Sequence, residues 1–489
     1  MSMNAKKLLK KARRLRNNPI RHADHPIPLT RRQLLGQGFI SMCGATVVPS
    51  FLSTIIARTG YAAECAATGV VDNHIPYLHV ELSGGASIAG NFVFGKQKDA
   101  APLELLGDTS YDSLGLPAEF HPKNGMDTSF GGPLVPTSGL LAGLNSVMSP
   151  EAIAKTVITG GAGTSNDDSR NNPLNGSNLA IAAVNGNGNL VQLAGTGQSL
   201  SGGRTTELDI GADPALSKVR ITQSQDVLDL VNPGLLATRL SAEDAAKIAK
   251  AASNLSGSKL AAFNQKDLPA QIKDLAECGY INSVDLLVKY DEASLSPQND
   301  PDVVATPFNL ADQDDQKVAT IAKLLVDGNA AAGTIDKGGY DYHGRGRDTQ
   351  DAQDFAAGRD IGLALELAHK KGKPMFVAVT SDGSVSFRGR NAASDSGARG
   401  AYLMIAMGST ARPDVNSFQV GAFQDSGAVD TSYLDTANSP RMQSLNIVYN
   451  YASFANQMAG FETSLKKAGL NNPFVGSDLQ YITIKPNKA

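Results

Sequence analysis

The chain has no tryptophan, three cysteines and seven histidines in 489 residues. Each scarcity narrows the chemistry. There is no paired Cys-x-x-Cys, no zincin helix, no P-loop and no Gly-x-Gly-x-x-Gly after a strand, so the sequence signatures of thiol redox, zincin metalloprotease, P-loop nucleotide and dinucleotide chemistry are missing. No internal repeat recurs at a fixed period. Beyond the first 62 residues there is no basic run. That remainder holds 33 Lys+Arg against 46 Asp+Glu, a net of −13, which gives it no electrostatic footprint for nucleic acid. Long apolar runs are missing too. The stretch from Leu34 to about Ala57 is interrupted by Gly36, Gly38, Gly44 and Pro49, whereas a stable membrane span needs about 20 unbroken apolar residues. What is plentiful is glycine, 49 residues, set among Asn, Asp and Ser clusters. Apolar runs recur between these clusters, which reads as ordered loops on a rigid scaffold.

The N-terminal segment has three successive parts. Residues 1–33 are basic, with Asp24 their only acid, and carry the pair Arg31-Arg32 within Thr30-Arg31-Arg32-Gln33-Leu34-Leu35. The interrupted apolar stretch follows, and then the small-residue site Gly60-Tyr61-Ala62. This order is similar to a twin-arginine export signal cleaved near Ala62. The resemblance implies passage through the twin-arginine machinery as a folded protein, and a mature chain of 427 residues (63–489) in the periplasm or outside the cell. A retained basic helix at a membrane surface is the other reading of the same residues. Cys43 would leave with the signal. Cys65 and Cys278 would remain where an oxidising compartment lets them pair, and sequence alone does not bring them together.

Strand and helix patterns alternate through the rest. Tyr77–Leu82 reads as a strand ending in Ser83-Gly84-Gly85, and 156–159 as a second ending in Gly160-Gly161. Residues 179–184 read as a helix end or strand, followed by a turn and a strand near 189–193. From 225 to 330 the character becomes mostly helical, with a helix start at Ser241 and further stretches near 270–277, 283–289 and 315–327. This part reads as an insertion packed on the core, or as a lid over a pocket. A strand at 331–335, a helix at 351–371, a stop at Gly372-Lys373-Pro374 and an apolar strand at 375–380 form a βαβ unit. Another buried strand lies at 402–407, and a helix over 439–458 has Ser439 as N-cap and Pro440 at its first position. The expected fold is therefore α/β, with a doubly wound, mostly parallel sheet. Residues 63–224 and 331–489 form its two parts, and 225–330 the helical insertion.

Ligands of such sheets bind beyond the carboxyl ends of strands. Four polar motifs lie near those ends: Ser83-Gly84-Gly85-Ala86-Ser87, Gly338 to His343, Ser381-Asp382-Gly383-Ser384, and Ser394-Asp395-Ser396-Gly397 before the 402–407 strand. Asp341, His343, Asp382 and Asp395 are the candidate metal ligands. Carboxylate oxygens with an imidazole suit zinc, manganese or magnesium, and an oxygen-only site suits calcium or magnesium. A loop without metal stays open as the plain alternative. The polar loop after the second strand offers Thr164, Ser165 and Ser169 as nucleophiles and Arg170 as an anion holder; as an Asx-rich loop it would merely bond its own backbone. Arg345, in Gly344-Arg345-Gly346-Arg347, is a second anion candidate, or part of a solvated turn.

In order and spacing, these four motifs, over about 75–425, resemble a twin-arginine-exported bacterial family related to the alkaline phosphatase and sulfatase superfamily, a subtype of which carries a general-secretion label. The resemblance implies an alkaline-phosphatase-like core and a metal-dependent hydrolase of phosphate or sulfate esters acting on a small anionic substrate. It equally admits a non-catalytic binding protein on the same fold. Two positions depart from the family pattern. Ser87 stands where relatives have Asp, and Ser396 where they have the His of Asp-His-Gly. With only His74, His79, His121, His343 and His369 after residue 62, the resemblance implies a thinned ligand set rather than a full two-metal centre.

Overall fold

The computed structural model describes residues 74–96, 104–165, 172–186, 188, 190–196, 205–211, 218–231, 292–342, 344–432, 439–474 and 484–485. The export-signal segment, Cys65, Cys278, Ser169, Arg170, His343 and the helices read near 241–250, 270–277 and 283–289 lie outside the described residues.

Apolar residues in unbroken runs become strands covered on both faces, as parallel sheets require. Strand β1, Tyr77–Leu82, has all six residues buried. So do β8, Met375–Thr380, and β11, Ala401–Met407, with its seven. With β2 (Thr156–Ala162), β4 (Val191–Gly195), β6 (Lys218–Arg220), β7 (Ala330–Lys337) and β12 (Gln419–Val420) they form a sheet in the order β12-β2-β11-β8-β1-β7-β4-β6. Strands β8, β1, β7, β4 and β6 run parallel. The sheet is thus α/β and mostly parallel, but it is mixed: β11 runs antiparallel to both β8 and β2. This reversal brings the start of β11 to the edge where β8, β1, β7 and β2 finish. Two small pairs flank the sheet, β3 (Asn172–Asn175) with β5 (Thr205–Glu207), and the hairpin of β9 (Val385–Arg388) and β10 (Asn391–Asp395).

Helices cover both faces. The main ones are α1 (Gly139–Asn145), α2 (Ser177–Ala183), α3 (Gln313–Val326), α4 (Arg347–Lys370), α5 (Pro440–Phe454) and α6 (Met458–Lys467). Successive strand residues point to opposite faces. Tyr77 meets Tyr451 of α5 edge-on, with ring centroids 5.1 Å apart. Leu78 pairs with Gly333 of β7, where an added Cβ would meet Ile321 and Leu325 of α3. Helix α3 thus packs on β7 and on α4. The α1–α4 crossing is close because glycines line it: a Cβ on Gly358 would fall 2.2 Å from the Leu140 carbonyl oxygen.

The punctuation acts as its chemistry predicts. Helix α4 ends where the Gly372 N–H donates to His369 O and Lys373 N–H to Ala368 O, at 2.9 Å each, with Gly372 at φ +64°. Ser439 Oγ accepts the Met442 N–H at 3.2 Å, capping α5 with Pro440 at its first turn. Among the described residues no helix is long and apolar enough to cross a membrane.

Candidate functional site

The turn after β1 organises the carboxyl edge of the sheet. Gly84 sits at φ +121° and Gly85 at +96°, backbone that only glycine adopts cheaply. A Cβ on Gly84 would lie 2.7 Å from the Asp341 backbone nitrogen, so the turn passes directly against the Gly338–Tyr342 segment. The Ser83 N–H donates to Lys337 O and the Tyr340 N–H to Ser83 O, at 2.9 and 3.1 Å. On the other side the Gly84 N–H donates to Asp382 Oδ1 at 2.8 Å. Ser381 Oγ accepts the Ala86 N–H at 2.8 Å and donates to Leu82 O at 2.7 Å. Three of the four motifs therefore meet, with Asp341 and Asp382 on either side of one glycine.

The fourth motif is held beside them. β10 pairs Ser394 with Ser386 and Asp395 with Val385. The Ser396 N–H donates to Ser384 O at 2.8 Å, and Ser384 Oγ donates to Ser396 O. Asp395 thus lies, by its backbone, on a hairpin strand rather than in a free loop. The end of β2 arrives at the same edge. The Gly163 N–H donates to Gly400 O and the Ser165 N–H to Gly397 O, at 3.1 and 3.0 Å, placing Thr164 and Ser165 against the 396–400 turn. The Thr164 carbonyl accepts a hydrogen bond from Gln443.

Sequence reasoning missed a carboxyl group below this turn. Glu81 is 2% exposed, and burial pushes its pKa up; His79 and Thr205 work against that shift, and the charge of Asp382 adds to it. Thr380 Oγ1 donates to Glu81 Oε2 at 2.8 Å, Thr205 Oγ1 to Oε1, and His79 Nε2 lies 3.4 Å from Oε2. Its cross-strand neighbour Asp336 accepts from Ser83 Oγ at 2.6 Å. The Asp336 pKa is raised by burial and, against the Ser83 hydrogen bond, by Asp382. The signal was present in β1: alternation put His79 and Glu81 on one face, and a charged residue at the last turn of a central strand is costly unless used or paired.

Other candidates are placed apart or committed elsewhere. Ser87 is buried, its Oγ donating to Leu114 O at 3.3 Å. His121 stands between Asp108 and Asp112, with its Nε2 3.0 Å from Asp112. Arg345 is exposed. Arg347, in the same Gly-Arg-Gly-Arg run, is wholly buried, donating to Gly90 O and Gly115 O at 2.9 and 2.7 Å and pairing with Asp351. It is a structural arginine, not an anion fork. Behind it Asp354 is buried among Asn91, Tyr342 and Gln350 donors, at 2.6, 2.8 and 3.1 Å.

The carboxylates suit a hard cation by donor type. Among the described residues, however, no three His, Cys, Asp or Glu side chains are grouped closely enough to hold one ion between them. Compared with known proteins, the chain matches no protein-family model, no curated protein and no solved structure.

Proposed function

We propose that the chain is an exported protein with an alkaline-phosphatase-like core and a divergent, metal-dependent phosphate- or sulfate-ester hydrolase centre at its carboxyl edge. One observation carries the reading. The glycine turn after β1 joins Asp341 and Asp382 at the edge where such folds bind ligands, with Asp336 and Glu81 pushed toward their protonated forms partly by the charge of Asp382. A divalent cation would offset that repulsion. Asp341 and Asp382, on either side of Gly84, would hold it with water filling the other positions, and because these donors are oxygens, magnesium, calcium or manganese fits better than zinc. Bound, such an ion polarises an ester oxygen and lowers the pKa of a hydroxyl or water. Glu81, enclosed by two threonine hydroxyls and His79, orients the strand ends rather than contacting substrate.

Arg31-Arg32 support export, and Cys65 and Cys278 would then be able to pair in the mature chain. A second reading, a non-catalytic periplasmic or surface binding protein, is favoured by Ser87, which replaces a family carboxylate and spends its hydroxyl on Leu114 O. Elemental analysis and ester hydrolysis by wild type and Asp382→Asn decide between them. Copurifying metal and hydrolysis that both fall at least tenfold in the variant support the enzyme. A metal-free protein inert toward phosphate and sulfate esters overturns it.

A further inference from the structure

Among the described residues, the half-buried Arg399 at this edge has no carboxylate partner. Arg399 lies in the short turn Gly397–Arg399 that leads into β11. Its guanidinium donates to Ser396 Oγ at 3.1 Å and to Ser426 O at 3.4 Å, and its Nε is buried without a partner. No carboxylate pairs with it among the described residues, and burial alone holds its pKa below the usual arginine range. A half-buried guanidinium left without an anion is costly, so arginines in such places are normally paired. The contrast with Arg347, Arg359 and Arg390 is plain, since each of these has a carboxylate.

A second orphan lies on the facing turn. Ser165 Oγ is buried and makes no hydrogen bond. Its own backbone is tied to the Arg399 turn through Gly397 O, and a Cβ on Gly397 would come 3.5 Å from that Oγ. The closeness depends on glycine at both contacts, because a Cβ on Gly400 would fall 2.2 Å from Gly163 O. Two zipped turns, from β2 and before β11, therefore carry a guanidinium without a carboxylate and a hydroxyl without a hydrogen bond, at the edge that carries Asp382. Guanidinium N–H groups and a hydroxyl donor are the complement of a tetrahedral oxyanion.

We infer that Arg399 and Ser165 form an oxyanion subsite, which takes the phosphoryl or sulfuryl group of a small ester or the free anion. The inference rests on the proposed ester-hydrolase reading for its place in a reaction, but the binding itself does not need that reading. Arg399 supplies charge and a two-pronged donor, and Ser165 supplies one directional hydrogen bond. The carboxylates of Asp382, in the turn after β8, and of Asp336, on β7, lie along the same edge, where an anion would be repelled unless a cation stood between.

The test is titration calorimetry of the purified protein with inorganic phosphate and with sulfate at fixed ionic strength, beside a phenyl phosphate arm that distinguishes ester from free anion. Wild type is expected to bind at least one of the three saturably. Arg399→Met should weaken that binding at least tenfold. Ser165→Ala, which removes a hydroxyl with no partner, should weaken it about threefold or more without changing the melting temperature. Arg388→Met, an exposed charge on the adjacent hairpin, should bind as wild type does. If Arg399→Met does not fold, Arg399→Lys, which keeps charge and loses the fork, is read beside Ser165→Ala and should also bind more weakly. Unchanged binding in these variants, or no binding of any probe by wild type, overturns the subsite. Phosphate binding without ester hydrolysis sinks the enzyme reading and leaves the subsite standing. Binding lost in Asp382→Asn but kept in Arg399→Met places the anion elsewhere and overturns it.

Discussion

The Gly84 N–H donates to Asp382 Oδ1 at 2.8 Å across 298 residues of sequence. This bond joins the end of the first strand to the end of β8, its neighbour in the sheet. It also fixes a carboxylate at the carboxyl edge while leaving its charge to act on Glu81 and Asp336. The turn is held from both sides, by Ser83 to β7 and by Ser381 to β1 and Ala86, so Asp382 is positioned by backbone geometry rather than by a flexible loop.

Gly84 should therefore tolerate no side chain. Gly84→Ala forces an L-residue to φ +121° and drives its Cβ to 2.7 Å from the Asp341 nitrogen. The strain and the clash together are expected to cost about 2–4 kcal/mol. Gly344→Ala is the comparison: it has φ +68° but open space around it, and should cost only about 1 kcal/mol. Denaturant unfolding of both variants measures the difference. Equal losses would mean that the approach to Asp341 is not tight.

Much of the scaffold was legible, because the central strands are mostly apolar runs closed by glycine or a polar turn. β1 and β8 stand at the residues expected, and α5 begins on the Ser439 cap. The reversal of β11 was not legible, since Tyr402–Met407 reads the same in either direction and only pairing decides. The convergence of Asp341 with Asp382 could be read from the rule that loops after parallel strands share an edge. The partners of Glu81 could not, because Thr205 and Thr380 lie 124 and 299 residues away. The orphaned state of Arg399 is likewise a tertiary fact: nothing in Gly397-Ala398-Arg399 says which arginines lack a carboxylate.

Stability should depend on pH through Asp354. Burial raises its pKa to about 6, against the opposing hydrogen bond of Asn91 and the charge of Arg347. The folded value lies above the unfolded one of about 3.9, so the native state holds the proton more tightly. That contribution is complete below about pH 4 and is lost as pH rises through about 6, a change on the order of 3 kcal/mol. Asp354→Asn cannot ionise and should flatten the slope in that window. Unfolding free energies of wild type and variant from pH 4 to 7 check it; parallel curves would show that another group is responsible.

Asp300 acts in the opposite sense. It caps the helix Pro301–Ala305 and accepts from Lys323 Nζ and Lys371 Nζ at 2.6 and 2.8 Å. Burial alone would raise its pKa, but the two lysines outweigh it and hold the carboxyl well below the usual range. Its contribution is therefore present above about pH 4 and disappears as pH falls. Asp300→Ala leaves Lys323 and Lys371 sharing Asp327, with Asp302 a more distant partner of Lys371 at 3.8 Å, and should cost about 3 kcal/mol at neutral pH. Thermal unfolding at pH 7 and pH 3 tests this, with the difference between wild type and variant shrinking at the lower pH.

Asp382→Asn separates a functional carboxylate from a structural one. The amide keeps an oxygen for the Gly84 N–H, so the turn retains its tie. The variant removes the charge that raises Glu81 and Asp336. Relief of like-charge repulsion should make it as stable as wild type or more so, by up to about 1 kcal/mol at neutral pH, as often happens when strained functional groups are neutralised. If Asp382 serves a cation, the same variant loses metal and ester hydrolysis while gaining or keeping stability. A variant that unfolds more easily, with metal content and hydrolysis unchanged, would instead make Asp382 a fastening for the glycine turn and nothing more.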